Sequence, residues 1–182
     1  KALTYPRTDS RALPEDYVPV VKQTFEMLAA SGMKHLAPFA ATALKNNYVK
    51  PSKRIFDDKK VSDHFAIIPT LQAPSGLSEA EQKLYDLVVK RFLAVFFPSA
   101  EYQNTTRISF VAPHSFKTEG KVLVKPGWLA IYGKEAADET PDAEGKSATI
   151  LVPVQAGEKV LAQTVDPKGL KTRPPARYSE AT

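Results

Sequence analysis

The residues best suited to chemistry stand at the start of the chain, where Tyr5 and Arg7 flank Pro6 and the polar run Thr8-Asp9-Ser10-Arg11 follows. A tyrosine hydroxyl is a weak nucleophile at neutral pH, because the pKa of a free phenol is about 10. Next to guanidinium groups that bind a phosphate through two hydrogen bonds, it can attack phosphorus and hold the product covalently. Pro6 fixes its own φ and restricts the residue before it, which limits how Tyr5 and Arg7 are presented. Tyr5 and the neighbouring arginines have the chemical groups that phosphoryl transfer needs, although Tyr5 taken alone is more simply interpreted as a tyrosine packed within a strand.

A histidine further along the chain is the second group suited to phosphate chemistry. His64 lies in the segment Asp63-His64-Phe65-Ala66-Ile67-Ile68-Pro69-Thr70, which has an apolar middle and predicts a short strand or extended segment over residues 62–70. An imidazole suits a phosphate contact because its N–H groups donate hydrogen bonds and its charge responds to small changes in environment. His35 and His114 match no pattern, and we expect them to be structural or surface histidines.

The composition is that of a soluble globular protein. Of the 182 residues 43% are hydrophobic and 25% are charged, and no apolar run approaches the roughly 20 residues that span a bilayer. The net charge is +5, and most of the excess falls before residue 98, where 14 Lys and Arg face 10 Asp and Glu. A basic surface attracts polyanions such as nucleic acids, although many ordinary domains are equally basic. The absence of cysteine excludes disulfides and thiolate metal sites and agrees with a reducing cytoplasm.

Two helices are predicted in the first fifty residues. The first is expected to have its N-cap at Asp16, to carry Pro19 in its first turn and to end at Gly32 in a left-handed C-cap. The second spans residues 36–46. Residues 48–62 are basic and rich in turn-forming residues, so we expect a loop there.

The clearest helix is predicted from Ser78 to about Phe97. Ser78-Glu79-Ala80-Glu81 has the pattern of a capping box, and Pro98 prevents the helix from continuing. The apolar spacing predicts a buried face made of Leu84, Leu87, Val88, Arg91, Phe92, Val95 and Phe96.

Beyond Pro98 the pattern changes from helical spacing to alternation. Strands are predicted over residues 105–111, 114–124, 128–132, 149–154 and 160–165, with a surface loop over the acidic, alanine-rich residues 134–146. Helices followed by strands predict an α+β fold with a helical domain over residues 1–98 and an antiparallel β-rich segment over residues 99–182.

The string Tyr5-Pro6-Arg7-Thr8-Asp9-Ser10 closely resembles the active-site segment of type IA DNA topoisomerases, where the tyrosine becomes linked to DNA. The segment around His64 resembles an element that typically reads Asp-His-His-Ala-Ile-Ile-Pro-Thr in the topoisomerase III branch, with Phe65 replacing the second histidine. Softer similarities to the arch domain of this family follow in the same order: Glu101-Tyr102, Thr105-Thr106, Gly120-Lys121-Val122-Leu123, Gly127-Trp128 and Tyr132. The tail from Thr172 to Thr182 is a more specific match, and it resembles the start of the family's next domain.

The resemblance implies a helix-turn-helix-like catalytic domain followed by a β-rich part of the arch. It also implies that Tyr5 attacks a phosphodiester of single-stranded DNA to form a 5′-phosphotyrosyl link. Arg7 would then stabilise charge on the phosphoryl oxygens, and His64 would contact a phosphate. The implied contacts to the DNA backbone are Thr8, Ser10 and Arg11.

The resemblance further implies a partner domain. The family binds Mg²⁺ in a separate toprim domain with the pattern Asp-x-Asp-x-Glu, which this sequence does not contain, so we expect no metal ligands in the chain. We expect a piece of a larger bacterial protein, cytoplasmic and nucleoid-associated, that acts as a monomer on single-stranded DNA with its remaining domains and without a membrane. The isolated chain should bind DNA weakly and leave it uncleaved.

Two alternatives stay open from the residues alone. A non-catalytic module that binds single-stranded nucleic acid would expose aromatic rings on one basic face, and the candidates are Tyr102, Phe110, Phe116, Trp128 and Tyr132. Another tyrosine phosphotransferase is the second alternative. A relaxase would need paired metal-binding histidines, and a recombinase would place dispersed Arg and His ahead of its tyrosine, whereas here the tyrosine comes first.

Overall fold

The computed structural model describes residues 1–133, 151–161, 163, 164, 166, 167, 169, 171 and 172. The chain divides into two compact units, Lys1–Leu151 and Val152–Thr182. Among the described residues the helices and strands are α1 (Val18–Ala29), α2 (Ala37–Lys45), α3 (Glu79–Phe96), β1 (Glu101–Val111) and β2 (His114–Lys125), and short 3-10 turns cover Glu15–Tyr17, Asp58–Lys60 and Gly127–Ile131. Three helices with an antiparallel hairpin confirm the α+β class.

Helix α1 forms where expected, but its ends differ from the prediction. It follows the 3-10 turn directly, with Tyr17 at its N-cap and Pro19 in its first turn. The predicted N-cap at Asp16 is wrong, because Asp16 is itself part of that turn. The helix ends where the N–H of Ala30, a residue in right-handed conformation, donates to the carbonyl of Glu26 at 3.1 Å. The left-handed cap predicted at Gly32 is therefore wrong as well, since Gly32 does not have a positive φ.

Helix α3 confirms the predicted capping box and corrects the predicted buried face. Ser78 Oγ accepts from the N–H of Glu81 at 3.4 Å, and the Glu81 carboxylate accepts from the N–H of Ser78 at 2.8 Å. Leu84, Leu87 and Arg91 are exposed, contrary to expectation. The buried face is displaced by about one position, because the ring of Tyr85 enters the core in place of the Leu84 side chain. It consists of Tyr85, Val89, Phe92, Leu93, Ala94 and Phe96.

Aromatic rings from two helices form the centre of the core. Phe25 of α1 lies 5.1 Å from Phe92 and 5.3 Å from Phe96 of α3, measured between ring centroids. Edge-to-face and tilted pairs at this distance add to the free energy gained by burying the rings. Leu13 and Ile68 join the same buried cluster. Leu13 and Ile68 therefore anchor two segments to the core, the one that carries Tyr5 and the one that carries His64.

The two strands form a long antiparallel hairpin. Val111 pairs with His114 next to the turn, where Ala112 has a φ of 50°, and the pairing continues to Glu101 opposite Lys125. The strands predicted over 105–111 and 114–124 are confirmed, and each extends further. Most side chains of the hairpin are exposed, including Phe110 with 79% of its surface accessible.

The strand predicted over residues 128–132 is wrong. Residues Gly127–Ile131 form a 3-10 turn that packs against α3 and buries Leu129 and Ile131. Burial of every second residue imitates the alternation of a strand, which is why the pattern misleads. Gly127 begins this turn with a φ of 50°, and the N–H of Trp128 donates to the carbonyl of Pro98 at 3.0 Å. The chain thus returns after the hairpin to the point where it left α3.

The second unit shows little regular structure in its described part. The N–H of Glu158 donates to the carbonyl of Gln155 at 3.2 Å across a turn in which Gly157 has a φ of 80°. Residues 151–154 and the described residues between 160 and 164 are not in a strand, contrary to the two predictions there. The predicted loop over 134–146 and the tail after Thr172 lie outside the described residues. The division of the chain near residue 98 stays a prediction.

Candidate functional site

The extended N-terminal segment pairs with residues 66–70 in an antiparallel arrangement. The N–H of Thr4 donates to the carbonyl of Ile68, and the N–H of Thr70 donates to the carbonyl of Ala2, both at 3.0 Å. On the other side, the N–H of Ala66 donates to the carbonyl of Ala12 at 2.9 Å. Residues 5–11 therefore leave and rejoin the same short stretch of backbone. We call them the 5–11 loop, and they carry Tyr5, Arg7 and Arg11.

Side-chain hydroxyls of the 5–11 loop form hydrogen bonds with the backbone of residues 60–64. Thr8 Oγ1 donates to the carbonyl of His64 at 3.0 Å and accepts from the N–H of Ser10 at 3.1 Å. Ser10 Oγ donates to the carbonyl of Lys60 at 2.8 Å and accepts from the N–H of Ala12 at 3.2 Å. Both hydroxyl protons are thus donated within the protein, so these two residues hold the loop in place. Their contact with DNA stays a prediction.

Tyr5 and His64 meet beside the loop, although they lie far apart in the sequence. Their ring centroids are 4.6 Å apart, with an angle of 43° between the ring planes. Half of the Tyr5 surface is accessible, and His64 is exposed. A tyrosine that served only the core would be buried like Tyr85, which is 3% accessible. The Tyr5 phenol is therefore accessible to a ligand, and the His64 imidazole lies next to the phenol.

Two guanidinium groups of the loop stand free for an anion. Arg7 and Arg11 are exposed, and neither forms an ion pair with a carboxylate of the described residues. The neighbouring basic segment differs, because several of its cations already have partners within the protein. Lys53 pairs with Glu15, Lys60 Nζ lies 3.1 Å from Asp57, and Arg54 donates to the carbonyl of Val95 at 2.8 Å.

Phe65, which stands where the resembling element has a second histidine, packs towards the core. Its ring centroid lies 4.7 Å from that of Tyr17, and it is half-buried against the hydrophobic cluster. The side chain therefore fixes the segment next to His64 by an apolar contact. In this chain position 65 contributes packing, and the imidazole next to Tyr5 is that of His64.

An ion cluster at the junction of α2 and α3 was missed by the sequence reasoning. His35 Nε2 contacts Asp86, and Lys90 Nζ lies 2.8 Å from the same carboxylate. Burial raises the pKa of Asp86, but hydrogen bonds from Lys90 and His35 lower it more, and the net shift is downward. The spacing of Asp86 and Lys90, four positions apart on a helix, was the available signal. His114 is exposed beside the turn of the hairpin.

Neither a metal centre nor a membrane segment is found in the part of the chain that the structure describes. No group of three or more His, Cys, Asp or Glu side chains is placed to hold a metal ion among those residues. Nor does any described helix combine the length and apolar character needed to cross a bilayer. The described site offers an accessible phenol, an imidazole and two exposed guanidinium groups.

Comparison with known proteins identifies the family of this chain. A family model described as DNA topoisomerase matches residues 1–182. DNA topoisomerase 3 of Bacillus subtilis (strain 168) is 40% identical over 186 residues, and the match covers 100% of this chain and 24% of that protein. DNA topoisomerase 3 of Bacillus licheniformis is 42% identical over 184 residues, with the same coverage. The chain spans about a quarter of the length of these curated relatives. With the family model matched from end to end, the chain belongs to the type IA DNA topoisomerases.

Proposed function

We propose that the longer protein carrying this chain cleaves and reseals single-stranded DNA with Tyr5 as nucleophile. Tyr5 Oη attacks the phosphorus of a phosphodiester and loses its proton, while the bond from phosphorus to the 3′ oxygen breaks. The departing oxygen takes up a proton and becomes a free 3′-hydroxyl, and the 5′ phosphate stays on Tyr5. The observation that carries this proposal is the accessible Tyr5 ring packed beside His64 on a loop with two free guanidinium groups.

The neighbouring side chains are assigned by their charge and position. Arg7, two residues from the nucleophile, would stabilise the charge that develops on the phosphoryl oxygens. His64 would donate to the same or the next phosphate, since its ring lies against Tyr5. Arg11 would bind the DNA backbone at the other end of the loop. Thr8 and Ser10 would act mainly by holding the loop, because both hydroxyl protons are donated within the protein, and their contacts with DNA stay predictions.

The same reaction run backwards reseals the strand. The phosphotyrosyl ester retains the energy of the broken phosphodiester, so religation needs no ATP, and another strand can pass while the ester persists. Relaxation or decatenation of DNA would be the outcome. We propose that Mg²⁺ is bound by a part of the longer protein outside this chain. The 182-residue chain alone should then bind DNA weakly and form no adduct. The proposed setting is the bacterial cytoplasm, at the nucleoid, with the protein acting as a monomer.

Substitution of the nucleophile tests the proposal in the full-length protein. Tyr5→Phe removes one hydroxyl and should abolish the covalent adduct with a 3′-labelled single-stranded oligonucleotide, while the Kd for that oligonucleotide changes by less than about twofold. Arg7→Ala should slow adduct formation by about 10²–10³ if its guanidinium acts in the transition state. Tyr48→Phe is the matched control, because its hydroxyl accepts a hydrogen bond from Asn46 outside the site. An adduct that persists in Tyr5→Phe, or binding lost in step with cleavage, would contradict the assignment.

The alternative of a non-catalytic binding module is less well supported. It requires aromatic rings on one face, and the hairpin exposes Phe110 and Phe116. Phe110 pairs with Ser115 and Phe116 pairs with Ser109, which are successive rungs of the ladder. Side chains of successive rungs point to opposite faces, so these two rings do not form one stacking surface.

A further inference from the structure

Two threonines bracket the nucleophile and use their hydroxyls in the same way. Thr4 Oγ1 donates to the carbonyl of Ala66 at 3.2 Å and accepts from the N–H of Ile68 at 2.9 Å. Thr8 Oγ1 donates to the carbonyl of His64 at 3.0 Å and accepts from the N–H of Ser10 at 3.1 Å. Each hydroxyl thus satisfies two backbone groups. Together they join both sides of Tyr5 to the segment that carries His64.

The His64 ring has few other restraints. It forms no hydrogen bond with another described residue, and its exposed side chain contacts the Tyr5 ring. Its position therefore follows from its backbone, and the bond from Thr8 holds the carbonyl of that same residue. Replacing threonine with valine keeps the shape of the side chain but leaves one carbonyl and one N–H without their partner.

We propose that Thr4 and Thr8 are positioning residues that fix the separation between Tyr5 and His64. We call the pair the hydroxyl clasp, and this inference rests on the proposed function. The clasp acts through its hydrogen bonds to the backbone of residues 64–68. A displacement of about 1 Å between reacting groups can slow an enzyme about a hundredfold, so a loosened clasp should reduce the rate of cleavage.

The test uses the full-length protein and a 3′-labelled single-stranded oligonucleotide under single-turnover conditions. Thr8→Val and Thr4→Val should each slow adduct formation by about tenfold to a hundredfold. The Kd, measured in a Tyr5→Phe background that blocks cleavage, should stay within about twofold. Thr8→Ser and Thr4→Ser keep the hydroxyl and should restore the rate to within about threefold of the wild-type value.

Thr70 provides a matched control on the same ladder. Its Oγ1 donates to the carbonyl of Lys1 at 2.6 Å and accepts from the N–H of Gln72 at 3.2 Å, so it repeats the bonding of Thr8 away from Tyr5. Thr70→Val should change the rate by less than about twofold. Equal slowing by Thr70→Val and Thr8→Val would overturn the clasp, because it would report general loosening of the ladder.

A double-mutant cycle separates a positioning role from an independent one. If Thr8 acts through His64, Thr8→Val combined with His64→Ala should be no slower than His64→Ala alone, within about twofold. Effects that multiply, failure of serine to restore the rate, or a Kd that rises with the loss of rate would each overturn the inference. Wild-type rates in the valine variants would also overturn it and leave the role of Tyr5 intact. Absence of any adduct in the wild-type protein would instead refute the proposed function.

Discussion

Tyr85→Phe should stabilise the protein, although it removes a polar atom from a well-packed residue. Tyr85 is 3% accessible, and its hydroxyl has no hydrogen-bond partner among the described residues. A buried polar group without a partner costs about 1–3 kcal/mol, and phenylalanine keeps the ring that fills the core. We therefore expect the free energy of unfolding to rise by about 1–2 kcal/mol. For a chain of this size, each kcal/mol raises the Tm by about 2–4 °C.

The same substitution should change how stability depends on pH. Burial raises the pKa of the Tyr85 phenol above its ordinary value of 10.0. The folded state then holds this proton more tightly than the unfolded state, so stability is lost as the pH rises above about 10. Phenylalanine cannot ionise, and the variant should lack this part of the alkaline loss. The advantage of Tyr85→Phe should therefore grow as the pH increases past that value.

Urea unfolding of the chain at pH 7 and between about pH 9 and 11 measures both effects. Tyr48→Phe is the control, because its hydroxyl accepts a hydrogen bond from Asn46 Nδ2 at 3.3 Å and its removal should bring no gain. A neutral or destabilised Tyr85→Phe at pH 7 would refute the reasoning. So would a gain that stays constant across the alkaline range.

Two further substitutions test the packing and the ion cluster. Gly127→Ala should lose more than about 2 kcal/mol of stability in thermal unfolding, because a Cβ there would lie 2.4 Å from the carbonyl oxygen of Pro98. Gly133→Ala, with open space around it and a φ of 88°, should lose only about 1 kcal/mol, and equal losses would contradict the clash. Asp86→Asn should lose about 1 kcal/mol at pH 7. Because the pKa of Asp86 is lowered in the folded state, the wild-type protein loses this stability as the pH falls from about 4 towards that lowered pKa, and the variant should show a flatter acid profile in urea unfolding.

Local signals in the sequence predicted the elements that depend on neighbouring residues. The capping box at Ser78 and Glu81 is confirmed, since its two hydrogen bonds need only four consecutive residues. The strands predicted over 105–111 and 114–124 are confirmed for a similar reason, because alternation is a local signal. Their pairing through the tight turn between Val111 and His114 was not predicted. The proximity of Tyr5 and His64 was implied by the resemblance of two motifs, and the ladder between their segments supplies its physical basis.

The wrong predictions concern features that the core or the chain path decides. Burial of Leu129 and Ile131 has the period of a strand, yet the return of the chain to Pro98 favours a 3-10 turn. The predicted buried face of α3 differs from the observed one because Tyr85, rather than Leu84, faces the core. The bonds of Thr4 and Thr8 also could not be read from the sequence. Each joins residues about sixty positions apart, and spacing alone does not show which backbone groups will meet.

The hydrogen bond from the N–H of Trp128 to the carbonyl of Pro98 holds the two ends of the hairpin together, so the hairpin joins the helices at one place. Its length can vary without changing how the helices connect, since the entropy of closing a loop depends only weakly on its size. Lengthening or shortening β1 and β2 together would change how far the hairpin extends and leave the three helices unchanged. Gly127 is required where the two ends of the hairpin meet, because any larger residue there would collide with the carbonyl of Pro98 and push the ends apart.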